Sequence, residues 1–440
     1  MNNFKRKKIA FHTLGCKLNF AETSTIARSF PEDKFEKVPA AQKADIYIIN
    51  TCSVTDVADR KCRQVIKKFI NRSPGSFIAV IGCYAQLNPQ EIAAIPGVDL
   101  VLGINERFDI ADYLADFYKK QKAEIHSCGL SSSDRFISSF SAGDRTRSFL
   151  KVQDGCDYNC SYCTVPLARG KSKNPEISSL VEECTSIAGR GVKEIVLTGV
   201  NTGDFGKSTG ESFSQLLGEL VKVHGIKRFR ISSIEPNLLT DELIEISAGN
   251  SKVVPHFHIP LQSGSDKILG LMKRRYKREV FAGRVELIKK MLPLAGIGAD
   301  VIAGFPGETE TDFEETYTFL ENLPLSYLHV FPFSERPWTT AENLPGKVTH
   351  SEKELRSKRL LNLSELKSLE FRKLNCGQVA EVLFEKVKSR GMISGFTGNY
   401  IRVEYPWQAE LAGQVRQVRL MSILPSGKMK IELIDNYGQL

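Results

Sequence analysis

The run Gly155-Cys156-Asp157-Tyr158-Asn159-Cys160-Ser161-Tyr162-Cys163 sets three cysteines at C-x₃-C-x₂-C spacing. Three thiolates this close can ligate three irons of a [4Fe–4S] cube and leave the fourth iron without a protein ligand. An electron-carrying ferredoxin avoids that state by supplying a fourth cysteine. An open iron suits an enzyme whose substrate or cofactor binds the metal directly. The alternative is a zinc knuckle, which needs a fourth Cys or His at short spacing. After Cys163 the next cysteine is Cys184 and the next histidine is His224.

The elements that must position this loop are short strands alternating with helices. From Phe149 to about Phe333 the pattern predicts strands at Leu150–Gln153, Glu194–Thr198, Arg228–Ser232, His256–Ile259, Ala299–Ala303 and Tyr327–Phe331. Six strand–helix units suggest an open, partial (β/α) barrel, in which chemistry sits at the carboxyl ends of the strands. The cysteine loop follows the first strand, as that rule requires. The other strand ends carry Thr198-Gly199-Val200-Asn201, Ser232-Ser233-Ile234-Glu235-Pro236, Pro260-Leu261-Gln262-Ser263-Gly264 and Gly304-Phe305-Pro306-Gly307-Glu308. Glycines allow close approach of a cofactor, and Ser, Asn, Gln and Glu can bond a ribose and an amino acid moiety, although turns are rich in these residues in any case. Lys273-Arg274-Arg275-Tyr276-Lys277-Arg278 is the densest basic run of this segment; it reads either as a solvated face or as a holder of phosphates.

The first ~120 residues alternate similarly, with strands expected at Lys8–Leu14, Asp45–Asn50, Phe77–Ile81 and Val98–Leu102. Helices are expected around Phe20–Phe30, Asp56–Asn71, Pro89–Ile95 and Asp109–Lys120. This predicts a parallel sheet covered on both faces. Cys16, Cys52 and Cys83 follow the first three strands, each beside Gly or Asn-Thr turn residues. Strand carboxyl ends share one edge in such a sheet, so three distant thiols can meet in one crevice and offer a second three-ligand site. The plainer alternative is three small buried residues near strand ends.

Residues 127–148 read as a polar linker with Ser131-Ser132-Ser133, Arg135, Arg145 and Arg147, solvated or grazing an anionic partner. Pro345–Asn375 predicts a boundary and a long helix with Leu355, Leu363, Leu366 and Leu369 on its apolar side, and residues 377–440 predict five short strands of a small barrel. Phe396, Tyr400, Trp407, Arg402, Arg416 and Arg419 could serve RNA bases and phosphates or, for the aromatics, the core of that barrel. The resulting division is 1–125, a linker over 126–145, 146–374 and 375–440. The net charge of +9 and pI near 8.9 favour an anionic partner, with nucleic acid first. No apolar run reaches the ~18–20 residues of a membrane span, and the basic start leads into a strand rather than a signal-peptide apolar region. A cytoplasmic location is therefore expected, and ten cysteines then point to metal or redox chemistry, not disulfides.

With these residues in view, the chain resembles the methylthiotransferases, a branch of the radical S-adenosylmethionine enzymes, over nearly its whole length. The matching phrases are Thr13-Leu14-Gly15-Cys16-Lys17-Leu18-Asn19, Asn50-Thr51-Cys52-Ser53-Val54-Thr55, Gly82-Cys83-Tyr84-Ala85-Gln86, Val152-Gln153-Asp154-Gly155-Cys156, His258-Ile259-Pro260-Leu261-Gln262-Ser263-Gly264 and Gly304-Phe305-Pro306-Gly307-Glu308. The resemblance implies an α/β N-terminal domain, a partial (β/α)₆ barrel and a C-terminal TRAM domain. It implies two [4Fe–4S] clusters, one on Cys156, Cys160 and Cys163 and an auxiliary one on Cys16, Cys52 and Cys83. S-adenosylmethionine would act as radical source and as methyl donor, contacted by Tyr162, Thr198, Gly199, Asn201, Ser233, Glu235 and Gln262. Arg274, Arg275, Tyr400 and Arg402 would meet RNA. Cys16-Lys17-Leu18-Asn19 and Gln153-Asp154-Gly155-Cys156 look like the branch acting on threonylcarbamoyladenosine at position 37 of tRNA, with an electron donor such as flavodoxin or ferredoxin and a sulfur source as further partners.

Four rival readings remain at this stage. The chain could modify isopentenyladenosine tRNA or an aspartate of a ribosomal protein. It could be a radical enzyme without sulfur insertion, or a non-catalytic iron–sulfur RNA-binding protein. Cys62, Cys128, Cys184 and Cys376 show no cluster spacing and read as ordinary thiols.

Overall fold

Two runs, Ile46–Thr51 and Phe77–Gly82, are buried at every residue and lie at the centre of a parallel sheet. The computed structural model describes residues 6–114, 117–129, 136–143 and 145–434. Its first sheet consists of β1 (Lys7–Thr13), β2 (Phe35–Lys37), β3 (Ile46–Thr51), β4 (Phe77–Gly82), β5 (Leu100–Leu102) and β6 (Glu124–His126), in the order β2-β1-β3-β4-β5-β6. Alternate residues of the central strands feed opposite layers. Tyr47, Ile49, Ile78 and Val80 pack with Cys62, Ile66 and Phe69 of the helix Asp56–Arg72. Ile46, Ile48, Ala79 and Ile81 pack with Ile26 and Phe30 on the other side. A strand buried on both faces has no polar side to show, which is why residues 46–49 and 77–81 are continuously apolar.

The edge strands β2 and β6 were not anticipated; three residues are too few to show a period. The helix expected over 109–120 is shorter, a 3₁₀ turn Glu106–Asp109 followed by Ile110–Tyr113. Lys119 beyond it instead bonds Gly97 O (2.6 Å) and Asp99 Oδ2 (2.7 Å). Of the linker, Ser131, Ser132, Ser133 and Arg135 lie outside the described residues.

The chain condenses into two compact units, residues 1–141, 149–173 and 334–342 in one, and 142–148, 174–333 and 343–440 in the other. β7 (Ser139–Phe140) and β8 (Ser148–Lys151) form a short antiparallel pair leading into the cysteine loop. In the second unit β9 (Glu194–Thr198) and β10 (Arg228–Ile231) are parallel. So are β11 (His256–Gln262), β12 (Gly296–Ala303) and β13 (Tyr327–Pro332), with Asp300 opposite His329 in register. These are the strands of the partial barrel expected from sequence.

The long helix is His350–Leu374, opened by a capping box in which Thr349 and Glu352 satisfy each other's backbone N–H. Its buried side carries Arg356, Leu360, Leu363, Lys367 and Phe371. Leu355 and Leu366, expected inside, are 61% and 56% exposed. Lys367 takes an inward place because its ammonium donates to Glu321 O and Leu323 O (2.9 and 2.7 Å). Five strands, β14 (Val379–Ser389), β15 (Met392–Thr397), β16 (Arg402–Pro406), β17 (Val415–Ile423) and β18 (Met429–Leu433), close a small C-terminal barrel around Val382, Phe384, Ile393, Val418 and Ile431.

Candidate functional site

The three early cysteines stand at carboxyl ends of neighbouring strands. Cys16 precedes the helix Lys17–Ser29, Cys52 directly follows β3, and Cys83 opens the helix after β4. Gly15 has φ +99°, and a Cβ there would lie 2.5 Å from Cys52 Cβ and 2.9 Å from its Sγ, so only glycine lets the two turns come this close. Asn19 braces the same turns, donating from Nδ2 to Leu14 O and Thr51 O at 2.9 Å each. Burial first, then the neighbouring thiols of Cys83 and Cys16, push the Cys52 thiol far up. Crowded thiols of this kind ionise readily only with a countercharge among them, and a metal supplies one. All ten cysteines are free of disulfides. The donor set and its glycine-made space fit an iron–sulfur cluster.

The C-x₃-C-x₂-C loop lies in the same unit. The Tyr158 N–H donates to Cys156 Sγ (3.4 Å) and the Val165 N–H to Cys163 Sγ (3.5 Å), contacts that favour thiolates and tune a cluster's potential. Gly155 (φ +71°) closes on the Lys171 carbonyl, where a Cβ would collide. This loop is pinned to the early cysteines. Thr164 Oγ1 donates to Ser53 O (3.2 Å), and Arg336 Nη2 donates to Ser53 Oγ and Asp59 Oδ2 (2.7 Å each). Arg169 Nη2 donates to Asn19 Oδ1 (2.6 Å), and its Nη1 to Glu22 Oε1 (3.0 Å) and Asp154 Oδ1 (2.8 Å). Lys151 and Arg107 complete a buried cluster of charges around those carboxylates. Although burial disfavours the charge, Arg169, Lys151 and Arg107 hold the Asp154 carboxyl well below the usual carboxylate range.

In the second unit Thr198 ends β9, Ser233 follows β10 and pairs in register with His258, and Gln262 ends β11 at a bulge with φ +70°. Gly199 and Asn201 continue from Thr198 into the 3₁₀ turn Thr202–Asp204, tied by Thr202 Oγ1 to Ser233 O (2.8 Å). These residues occupy one rim. Glu235 is ion-paired there with Arg274, whose side chain is only 3% exposed. Arg274 therefore neutralises a buried carboxylate and does not face a phosphate, which corrects the sequence expectation. Arg275 is exposed. Glu308 of the Gly304–Glu308 loop accepts from the Gly304 N–H (2.6 Å) and from Arg356 (2.8 Å), a bracing role.

Tyr400 is also used internally. Its ring (φ +73°) lies 4.9 Å from Phe396 and 4.6 Å from His256, with the Arg230 guanidinium 4.9 Å from its centroid. Arg228 and Arg230 meet Glu194 on one side and the carbonyls of Glu381, Phe396 and Gly398 on the other. Arg402 remains half exposed, 3.9 Å from Glu385.

One constellation escaped sequence reasoning. His258 Nε2 and His329 Nδ1 lie 2.8 and 3.3 Å from the same oxygen of Asp300. Its signal was present, since the three occupy one face of the adjacent strands β11, β12 and β13, yet strand adjacency is not visible in a linear chain. Cys62 and Cys184 are fully buried, as ordinary core thiols are.

A strand–helix series opening on a C-x₃-C-x₂-C loop defines a radical S-adenosylmethionine enzyme. The family model described as the radical SAM superfamily matches residues 150–320, and one described as uncharacterized protein family UPF0004 matches residues 8–103. The chain is 40% identical over 422 residues to the threonylcarbamoyladenosine tRNA methylthiotransferase MtaB of Bacillus subtilis (strain 168), covering 94% of this chain and 93% of that one. It is 37% identical to the MtaB of Aquifex aeolicus (strain VF5), covering 93% and 99%. Against the tRNA-2-methylthio-N(6)-dimethylallyladenosine synthase of Syntrophotalea carbinolica (strain DSM 2380 / NBRC 103641 / GraBd1) identity is 32%, covering 94% and 97%. Among solved structures the radical S-adenosylmethionine methyltransferase TsrM of Kitasatospora setae shares the fold, with a TM-score of 0.56 at 12% identity over 89% of this chain and 77% of that one. The chain belongs to the methylthiotransferase family of radical S-adenosylmethionine enzymes.

Proposed function

We propose that this enzyme methylthiolates carbon 2 of N6-threonylcarbamoyladenosine at position 37 of tRNA. The observation that carries the reading is the presence of two three-cysteine sets in one compact unit, where a radical enzyme without sulfur insertion needs one. The choice of base follows the relatives, 40% identity to an enzyme named for threonylcarbamoyladenosine against 32% to one named for dimethylallyladenosine.

Cys156, Cys160 and Cys163 would hold one [4Fe–4S] cluster and Cys16, Cys52 and Cys83 a second. When bound, these clusters with S-adenosylmethionine supply hydrogen abstraction from a carbon that no side-chain base can deprotonate, together with the sulfur and methyl group that replace the hydrogen. The protein's own part is to hold and orient. Tyr162, Thr198, Gly199, Asn201, Ser233, Glu235 and Gln262 would bind S-adenosylmethionine. Gly15 and Asn19 keep the early thiols in register, and N–H groups turned to Cys156 and Cys163 stabilise their thiolates. Arg275 and Arg402, with the exposed Arg416 and Arg419 of β17, would meet the tRNA backbone. A one-electron donor of the flavodoxin or ferredoxin kind and a sulfur source complete the set, in the cytoplasm. Among the described residues no helix is long and apolar enough to cross a membrane.

The test is nucleoside mass spectrometry on tRNA from cells with and without the gene. Loss of 2-methylthio-N6-threonylcarbamoyladenosine alone, restored by the wild-type chain, is the expected result. An unchanged tRNA profile, or loss of the dimethylallyl derivative instead, overturns the assignment.

A further inference from the structure

Five charged side chains, Glu22, Arg107, Lys151, Asp154 and Arg169, are each at most 3% exposed and meet in one network. Three are cations and two are anions. Buried pairs stabilise a fold poorly, because desolvation consumes much of the Coulomb gain, so an interior excess of positive charge calls for an anion nearby. Two nitrogens of Arg107, Nε and Nη1, meet no hydrogen-bond partner among the described residues. Arg169 points the network toward the early cysteines. Its Nη2 bonds Asn19 Oδ1, the same oxygen that lies 3.8 Å from Cys16 Sγ. Asn19 Nδ2 ties the backbone on either side, at Leu14 and Thr51.

We infer that Arg169 is a positioning residue for the Cys16–Cys52–Cys83 set and that the net positive charge of its network raises the reduction potential of the cluster held there. The inference rests on the two-cluster reading above. A [4Fe–4S] cluster on three thiolates carries about one negative charge when oxidised and gains another with each electron, so a nearby buried cation favours the reduced form. The network thereby offers a means of setting apart the potentials of two clusters built on the same ligands.

The test is a redox titration followed by electron paramagnetic resonance on the full chain carrying Cys156→Ala, Cys160→Ala and Cys163→Ala, reconstituted with iron and sulfide and reduced with dithionite. Arg169→Gln removes the charge and should make reduction at least about tenfold less favourable, a fall of about 59 mV for one electron. Arg169→Lys, which keeps the charge, should stay within about threefold of the parent. Asp154→Asn enlarges the positive excess and should move the potential the opposite way. Retained iron with no shift in Arg169→Gln, or a fall in Asp154→Asn, overturns the inference. If Arg169→Gln fails to hold iron, the sign of the Asp154→Asn shift decides. A parent that binds no iron overturns the two-cluster reading itself and the inference with it, an outcome separate from a loaded cluster whose potential does not move.

Discussion

Glu194 is a buried carboxylate that holds Arg228 and Arg230 in the interior of the second unit, and its replacement by Gln has a calculable cost. The Glu194 side chain is fully buried, and those of Arg228 and Arg230 are 2% and 3% exposed. Burial alone would raise its pKa, but Arg230, Arg228 and Arg147 bring it from 4.5 down to about 2. At 1.36 kcal/mol per pH unit that drop corresponds to about 3 kcal/mol of stability at pH 7. Removing one partner of a buried pair costs about 3–5 kcal/mol on general grounds, so the two routes agree. A carboxylate with a depressed folded pKa contributes fully above its unfolded value. That contribution disappears as pH falls from about 5 toward 2, leaving about 1 kcal/mol at pH 3. The chain has two tryptophans, and Trp407 packs against the C-terminal barrel core. With Trp338→Phe as background, anaerobic urea unfolding followed by Trp407 fluorescence therefore reports on this unit. Glu194→Gln should lose about 3 kcal/mol at pH 7 and about 1 at pH 3. A loss below about 1 kcal/mol at pH 7, or a variant with the parent's pH dependence, would refute the reasoning.

Four further outcomes are expected. Replacing Cys16, Cys52 and Cys83 by Ala should lower iron from about eight to about four per chain and abolish product while reductive cleavage of S-adenosylmethionine persists; iron analysis and cleavage assays check both. Gly15→Ala forces a Cβ onto Cys52 and should lose the same four or so irons without altering the other set. Cys62→Ala removes a buried thiol 3.4 Å from Cys52 O and should keep full iron content while costing about 1 kcal/mol in chemical denaturation. Tyr400→Ala should lower the thermal midpoint by several degrees yet change tRNA affinity less than Arg416→Ala or Arg419→Ala does, read by filter binding at fixed salt.

Sequence and structure agree where local pattern and burial say the same thing. β3 and β4 could be read because both faces are covered, so residues 46–49 and 77–81 are all apolar. Cys16, Cys52 and Cys83 stood out because a parallel sheet sends all its strand ends to one edge. The long helix was placed within Pro345–Asn375, which agrees with His350–Leu374, yet its buried side was misread. Leucine spacing suggested one stripe, whereas the observed stripe includes Arg356 and Lys367, which enter by bonding Glu308 and two carbonyls. Partners such as Lys151 and Glu22, 129 residues apart, leave no trace in a window of any practical length. The same limit hid the His258–Asp300–His329 contact, whose members are close only because β11, β12 and β13 are neighbours.

Charge shows most clearly what a linear reading can and cannot assign. The net +9 was read as a sign of an anionic partner, with the run 273–278 as one place to hold it. The total survives folding, because buried arginines such as Arg274, Arg336 and Arg356 each take a carboxylate inside with them. The location survives only in part: within that run Arg274 pairs with Glu235, Tyr276 donates to Pro260 O and Leu261 O, and Arg278 pairs with Glu315, while Lys273, Arg275 and Lys277 stay exposed. Arg274 is drawn out of that run to neutralise the buried Glu235. On the C-terminal barrel Lys428 pairs with Glu404 and Arg402 lies near Glu385. Arg416 and Arg419 of β17 are exposed and donate to the carbonyls of Val415 and Gly377, and Arg416 faces Val382 of β14 in register, on the strand that continues outward through the exposed Lys386 and Lys388. A polyanion gains more from these exposed cations and from Arg275 than from Arg274, since they keep their charge at the surface and lose little in being drawn to phosphate.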